Sequence, residues 1–188
     1  MSQLDEIARR AWRRTIPIAI GGFVVGAVIG AFLPGSDSAL GRVLSVVGFG
    51  LTVGGLSGTF SLLPASFRLV PSLQGPLLGL DRADRRSVRR AVFSGQPIEP
   101  TGSELAHRAF DWAHGAAVAL PVNLGQFLLL YVGTAGTQIP NVIRDDAWSP
   151  VFPRVFIAAL VVVAVALSVV FGRQIRGARR YLAATNKR

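Results

Sequence analysis

The chain has 188 residues, of which 51% are hydrophobic and only 16% are charged. A soluble domain usually carries about 25% charged residues, so this composition argues against an ordinary soluble protein. The chain contains no cysteine, which excludes a disulfide framework, a thiolate metal site and a cysteine nucleophile.

Four apolar stretches are long enough to cross a bilayer as helices. They cover residues 15–33, 43–63, 116–135 and 155–171, and none contains Asp, Glu, Lys, Arg or His. Crossing ~30 Å of hydrocarbon takes about 17–25 apolar residues, and a helix satisfies its own backbone groups in lipid. The sequence therefore predicts an all-α, polytopic membrane protein with four transmembrane helices, forming a single membrane domain over residues 1–188.

The positive charges predict how this protein lies in the membrane. Of the 20 Lys and Arg residues, 17 lie in an N-terminal arm (1–14), in a segment between the second and third spans (64–114) and in a basic tail (173–188). Loops rich in Lys and Arg stay in the cytoplasm. We therefore expect both termini and a cytoplasmic helical insertion between helices 2 and 3 on the inner side of a plasma membrane, with Asp37 and Asp146 outside.

The net charge of +10 also suggests nucleic acid, but membrane topology already explains arginines beside apolar spans, so we expect no nucleic acid partner. The first apolar stretch is longer than an ordinary signal-peptide core, and further spans follow it. We expect an uncleaved membrane anchor rather than a signal peptide.

The first two spans each carry three glycines spaced four residues apart, a glycine-zipper pattern. Residues four apart share one side of a helix, so each helix has a strip without side chains where another backbone approaches closely. The strips pack on each other or on the third helix, or one of them contacts a second copy of the chain. The predicted helix-packing residues are Gly22, Gly26, Gly30, Gly50, Gly54 and Gly58.

The third span contains the most polar side chains of any span, Asn123 and Gln126, which follow Pro121. An amide in hydrocarbon needs partners, so this side is expected to point into the bundle. The amides either hold helices together or line a permeation path. Pro121 is expected to kink the helix or to move its start. The fourth span, rich in Val, Ala and Leu, is predicted to be the one most exposed to lipid.

Residues 61–80 are apolar but contain three prolines, which predicts an interfacial segment rather than a long helix. A short helix should follow, with Asp81 as its N-cap and Gly95 as its C-terminal stop. Five arginines share one arc of that helix and are predicted to contact anionic lipid headgroups; the alternative is an acidic protein partner. These arginines are Arg82, Arg85, Arg86, Arg89 and Arg90.

A second helix of the insertion is expected to start near Thr101 or Ser103, with Thr101-Gly102-Ser103-Glu104 as a capping box. Its apolar arc predicts an amphipathic helix lying at the membrane interface. The opposite side carries metal-ligand types, but only one helix supplies them, so a solvated surface is favoured over a metal site. These residues are Glu104, His107, Asp111 and His114.

The order from Leu80 to Pro100, with its Asp-Arg-Ala-Asp-Arg-Arg opening and Gly95-Gln96-Pro97, resembles a segment of small uncharacterised four-span membrane proteins of high-GC actinobacteria. The preference for Arg over Lys is similar to the coding style of those bacteria. The resemblance implies a bacterial plasma-membrane location. It brings no activity and no site residues with it.

No phosphate loop, Ser–His–Asp arrangement, zinc motif or dinucleotide fingerprint is present in the sequence. We therefore expect no catalytic residues, no metal and no cofactor. The favoured function is a non-enzymatic oligomer or membrane-complex subunit, with a homo-oligomer or a membrane protein as partner. The alternatives are a small channel or transporter and, with least support, a lipid-acting enzyme that uses His107, Asp111 and His114.

Overall fold

The computed structural model describes residues 3–33, 38–143 and 151–186, and every regular element in these ranges is helical. Asp37 and Asp146, which the sequence places outside the cell, lie outside the described residues. The five α-helices and two short 3₁₀ helices are, in chain order, α1 Gln3–Phe32, α2 Ala39–Gln74, 3₁₀ Gly75–Leu77, α3 Arg82–Ser94, α4 Glu104–Gly136, 3₁₀ Ile139–Ile143 and α5 Val151–Thr185.

Helices α1, α2, α4 and α5 are long and apolar enough to cross a membrane. The predicted number of membrane-spanning candidates and the all-helical fold are therefore confirmed. The most apolar stretch of α5 contains no buried residue, unlike the corresponding stretches of the other three helices. This burial pattern is what the sequence predicts for the helix most exposed to lipid.

The expectation that residues 61–80 do not form a long helix is wrong. Helix α2 continues through Pro64 and Pro71 and ends only at Gln74. The continuation packs well, because Leu62, Ala65 and Leu69 recur every three or four residues and are all buried. Tertiary packing of one helix side therefore outweighs the backbone hydrogen bonds that the two prolines remove.

Helices α4 and α5 are also longer than the sequence predicts. Helix α4 runs without a break from Glu104 through Pro121, so the proline does not move the helix start, and the residues expected to form a separate interfacial helix are its first turns. Helix α5 continues through Gly172 and Arg173 to Thr185, so most of the basic tail is helical. At α4 the cap is Ser103, whose hydroxyl accepts from the Ala106 N–H at 3.2 Å.

The boundaries predicted for α3 are confirmed. The Asp81 carboxylate accepts a hydrogen bond from the Asp84 N–H at 2.7 Å and so caps the first turn. Gly95 ends the helix with φ of 75°, a left-handed conformation that glycine adopts without steric cost. Both ends of the helix therefore follow from local chemistry.

The packing contacts divide the chain into two compact units. The first, here called the basic unit, comprises Met1–Arg9, Pro64–Leu124 and Leu167–Arg188. The second, here called the apolar unit, comprises Arg10–Leu63 and Gly125–Ala166. Helices α1, α2, α4 and α5 each contribute one stretch to each unit.

The basic unit has its own hydrophobic core, built from one side of α3, from the 3₁₀ helix that follows α2 and from parts of α4 and α5. Nine residues of this core are buried, and they are Leu77, Val88, Val92, Ala109, Trp112, Ala113, Ala116, Ala178 and Tyr181. The apolar side of α4 that was expected to lie on the membrane is therefore covered by protein. Packing within the chain, rather than lipid, stabilises the first turns of this helix.

Candidate functional site: glycine contacts and an exposed basic surface

The glycines of α1 lie directly against the backbone of α2 in the apolar unit. A Cβ atom placed on Gly22 would lie 3.0 Å from the Val53 carbonyl oxygen, and one on Gly30 would lie 2.5 Å from that of Ser45. At Gly26 the added atom would collide with the Phe49 carbonyl group. Any larger side chain at these positions requires the two helices to separate.

The glycines of α2 have more varied neighbours. Gly50 lies under the Phe23 ring, and Gly54 lies against the α1 backbone, with a Cβ position 2.8 Å from the Ala19 carbonyl oxygen. Gly58 contacts both Ala19 on α1 and Leu129 on α4. All six predicted glycines therefore contact neighbouring helices of the same chain.

A second set of close contacts, between α2 and α4, escaped the sequence analysis. A Cβ atom on Gly55 would lie 2.5 Å from the Gly133 nitrogen, and one on Gly136 would lie 2.6 Å from the Gly48 carbonyl oxygen. These glycines are spaced by seven on α2 and by three on α4, so a search for spacing by four misses them. The signal was the excess of glycine on a second side of α2.

Hydroxyl groups in these helices either join α1 to α2 or donate a hydrogen bond to a carbonyl of their own helix. Thr15 on α1, which is 1% exposed, shares a hydrogen bond with Ser61 on α2. Thr52 and Thr59 donate to the carbonyls of Gly48 and Gly55, four residues earlier in their own helix, each at 2.8 Å. These polar groups are thus satisfied inside the bundle, as groups in an apolar environment must be.

The two amide side chains of the third span are only partly buried. Asn123 and Gln126 are both half-buried on α4, and each lies in a different compact unit. The two amides are three residues apart, which is nearly one helical turn.

Helix α3 presents its arginines outward from the basic unit. Val88 and Val92 are 0% exposed in the core, and the five arginines predicted from the sequence are all exposed. The loop before α3 is held by Arg108, which donates to the Leu78 carbonyl at 2.7 Å and pairs with Glu104 at 2.6 Å. Both packing and a polar clamp therefore fix the position of the basic helix.

The predicted metal-ligand types on α4 do not form a cluster. Glu104, His107 and Asp111 are exposed, His114 is half-buried, and no group of three acidic or histidine residues close enough to hold a metal ion occurs within residues 3–33, 38–143 and 151–186. Glu104 is engaged by Arg108 instead. This side of the helix carries solvated charge.

The basic tail brings further arginines to the basic unit. Arg173, Arg176, Arg179 and Arg180 of α5 are exposed, while Ala178 and Tyr181 in the same stretch are buried. Burial raises the pKa of Tyr181 above its ordinary value of 10, an effect opposed by a hydrogen bond with the Ile98 backbone. The tyrosine is therefore a neutral core residue whose burial turns the arginines outward.

Removing the N-cap of α3 tests whether this helix depends on its local chemistry. Asp81→Ala should lower the free energy of unfolding of the basic unit by about 1 kcal/mol, because the Asp84 N–H loses its acceptor. Ser87→Ala, at an exposed position of the same helix, is the matched control. Hydrogen exchange of the α3 amides in the purified chain measures both, and equal exchange in the two variants would contradict the role of the cap.

No family model, curated protein or solved structure matches this chain.

Proposed function

We propose that this chain is a non-enzymatic, multi-pass protein of a bacterial plasma membrane, with both termini in the cytoplasm, and that it works as a homo-oligomer or as a subunit of a membrane complex. The four long apolar helices support the membrane location. The concentration of Lys and Arg in the arm, the insertion and the tail supports the orientation.

One observation links this proposal to a ligand: the packed core of the basic unit places a set of arginines on its surface. The core of the basic unit buries Val88 and Val92 of α3, and the opposite side of that helix exposes five guanidinium groups. Such a surface is suited to binding anions rather than to chemistry. We propose anionic lipid headgroups as the first ligand, because helices that cross the membrane keep the surface near it.

The exposed sides of α1 and α5 supply the contact for a second copy or for a partner helix. Ile20 is 60% exposed and Val162 is 67% exposed, and both lie in the apolar unit. The alternative of a channel has less support. A channel built on these glycines needs them free to contact other copies of the chain, but neighbouring helices of the same chain already cover them.

Single cysteines test this proposal cleanly, because the native chain contains none. Val162→Cys and Ile20→Cys are introduced separately, and membranes of the expressing bacterium are treated with a short bis-thiol crosslinker. At least one variant should give a product of twice 19.9 kDa or a discrete product with one partner. The cysteine-free chain should give none.

The mass of the purified chain in lipid nanodiscs and a third variant, Ser87→Cys on exposed α3, complete the test. A particle with one chain, together with no crosslink at either apolar position, would contradict the oligomer or complex. Ser87→Cys should react with an impermeant thiol reagent only after the membrane is opened. Labelling from the outer side of intact cells would contradict the orientation.

A further inference from the structure

Helices α3 and α5 meet in an unusually close contact within the basic unit. A Cβ atom on Gly177 of α5 would collide with the Phe93 carbonyl group of α3. Next to it, a Cβ atom on Gly95 would lie 2.9 Å from the Cβ atom of Arg180. The backbone of α3 at Phe93 therefore rests on α5 at Gly177.

Arginines flank this contact on both helices. On α3, Arg86, Arg89 and Arg90 precede Phe93 by seven, four and three residues, which places them on the same side of the helix as Phe93. On α5, four arginines lie within four residues of Gly177, and three of them, spaced by three and four residues, share one side of the helix. We call these six residues the crossing arginines, and they are Arg86, Arg89, Arg90, Arg173, Arg176 and Arg180.

All six crossing arginines are exposed, and their own helices offer them little neutralising charge. Helix α5 contains no Asp or Glu, and α3 contains none after Asp84. The Arg176 Nε atom donates to the Gly172 carbonyl of its own helix at 3.1 Å, which leaves its terminal guanidinium nitrogens for other acceptors. Like charges held together by a fixed backbone contact favour a ligand with more than one negative charge.

The position of the contact along α5 places it at the level of lipid headgroups. Arg173 is the first charged residue of α5 after Arg154. Gly177 follows the end of the uncharged stretch at Gly172 by five residues, which is about 8 Å along a helix. A headgroup layer extends about 5–8 Å beyond each side of the hydrocarbon. When α5 crosses a membrane, the backbone contact at Gly177 thus lies at the level of the headgroup layer.

We propose that the crossing arginines form a binding site for an anionic phospholipid whose headgroup carries two phosphates. A guanidinium group donates two parallel hydrogen bonds to phosphate oxygens. We therefore assign one phosphate to the three crossing arginines of α3 and the other phosphate to the three of α5. The proposal rests on the proposed membrane location of this chain. It adds Arg173, Arg176 and Arg180, which the arginine arc of α3 does not include, and it replaces a general attraction to anionic lipid by a preference for a two-phosphate headgroup.

The test uses the full chain in nanodiscs of phosphatidylcholine containing either cardiolipin, which has two phosphates, or twice as much phosphatidylglycerol, which has one. Native mass spectrometry of the released protein counts the lipid that stays bound. The chain should retain cardiolipin preferentially at equal total lipid charge. Equal retention of both lipids, or of neither, would overturn the proposal, and the latter result would favour an acidic protein partner.

Paired substitutions locate the site. Arg176→Gln with Arg180→Gln should weaken cardiolipin binding by about 30-fold, because two phosphate contacts are lost. Arg13→Gln with Arg14→Gln removes the same charge from exposed positions of α1 in the apolar unit and should weaken binding by less than about 3-fold. Equal losses in both pairs would overturn the site. Arg176→Lys with Arg180→Lys keeps the charge but not the paired geometry, and it should fall between the native chain and the Gln pair.

A competition experiment distinguishes a lipid ligand from a soluble ligand. Inorganic pyrophosphate at millimolar concentration should leave most of the cardiolipin bound, because the acyl chains hold the lipid beside the helices. Complete displacement would assign the site to a soluble polyanion and overturn the lipid proposal. Loss of the cardiolipin preference in a chain that still forms crosslinks through Val162→Cys would refute this inference alone and leave the proposed function standing.

Discussion

Replacing Gly26 by alanine is expected to drive helices α1 and α2 apart, whereas the same substitution at Gly21 in the same helix is expected to be harmless. The Cβ atom of an alanine at position 26 would collide with the Phe49 carbonyl group, and it would also lie 2.9 Å from the Val53 Cβ atom. Backbone cannot move aside as a side chain can. At Gly21 no atom lies within 4 Å of the added Cβ.

The expected effects differ in sign. Gly26→Ala should lower the free energy of unfolding by about 1–3 kcal/mol, the usual cost of overpacking a fixed contact. Gly21→Ala should leave it unchanged or raise it by up to about 1 kcal/mol, because alanine loses less chain entropy than glycine in a helix. Thermal unfolding of both variants in the same detergent measures the difference. Equal stability would mean that α1 and α2 are not in close contact in the protein.

The elements that the sequence predicts correctly are those determined by local chemistry. Uncharged stretches long enough to cross a bilayer predicted the four long helices. For α3, a carboxylate at position 81 and a glycine at position 95 determine the ends, and each acts within one turn of its own position. The arginine arc of α3 follows from the helical period alone.

The elements that the sequence predicts incorrectly depend on contacts between distant residues. Pro64 and Pro71 lie inside α2 because packing at Leu62, Ala65 and Leu69 stabilises the helix around them. The tail of α5 is helical where Ala178 and Tyr181 enter a core that also contains Val88. The sequence of one such segment does not show which distant segment packs against it.

The candidate site also combines a part determined by local sequence with a part determined by distant contacts. The sequence predicts that the five arginines of α3 share one arc, but it shows the arginines of α5 only as part of a basic tail after the fourth span. Their placement beside α3 depends on the contact between Phe93 and Gly177, which are far apart in the sequence. A lone glycine between Arg176 and Ala178 was the single local trace of that contact.

Trp112→Ala is expected to unfold the basic unit more than any other single truncation in its core. Trp112 is 6% exposed, its indole N–H donates to the Leu73 carbonyl at 3.1 Å, and its ring meets the Phe93 ring edge-on with centroids 5.2 Å apart. It therefore joins α4 to the end of α2 and to α3. Truncation of a buried tryptophan costs about 3–5 kcal/mol.

Two companion variants separate the contributions of this side chain. Trp112→Phe keeps an aromatic ring against Phe93 but removes the donor to Leu73, so it should cost about 1 kcal/mol beyond the lost ring area. Phe67→Ala truncates an aromatic residue of the same unit that is 70% exposed, and it should change stability by less than about 0.5 kcal/mol.

Hydrogen exchange resolved by helix provides the measurement. In Trp112→Ala the amides of α3 should exchange at least tenfold faster than in the native chain, because Val88 and Val92 lose the core that holds them. Amides of α1, between Gly22 and Gly30, belong to the other unit and should change little. If α3 keeps its protection in Trp112→Ala, the arginine surface is held by its caps and by Arg108 rather than by the core.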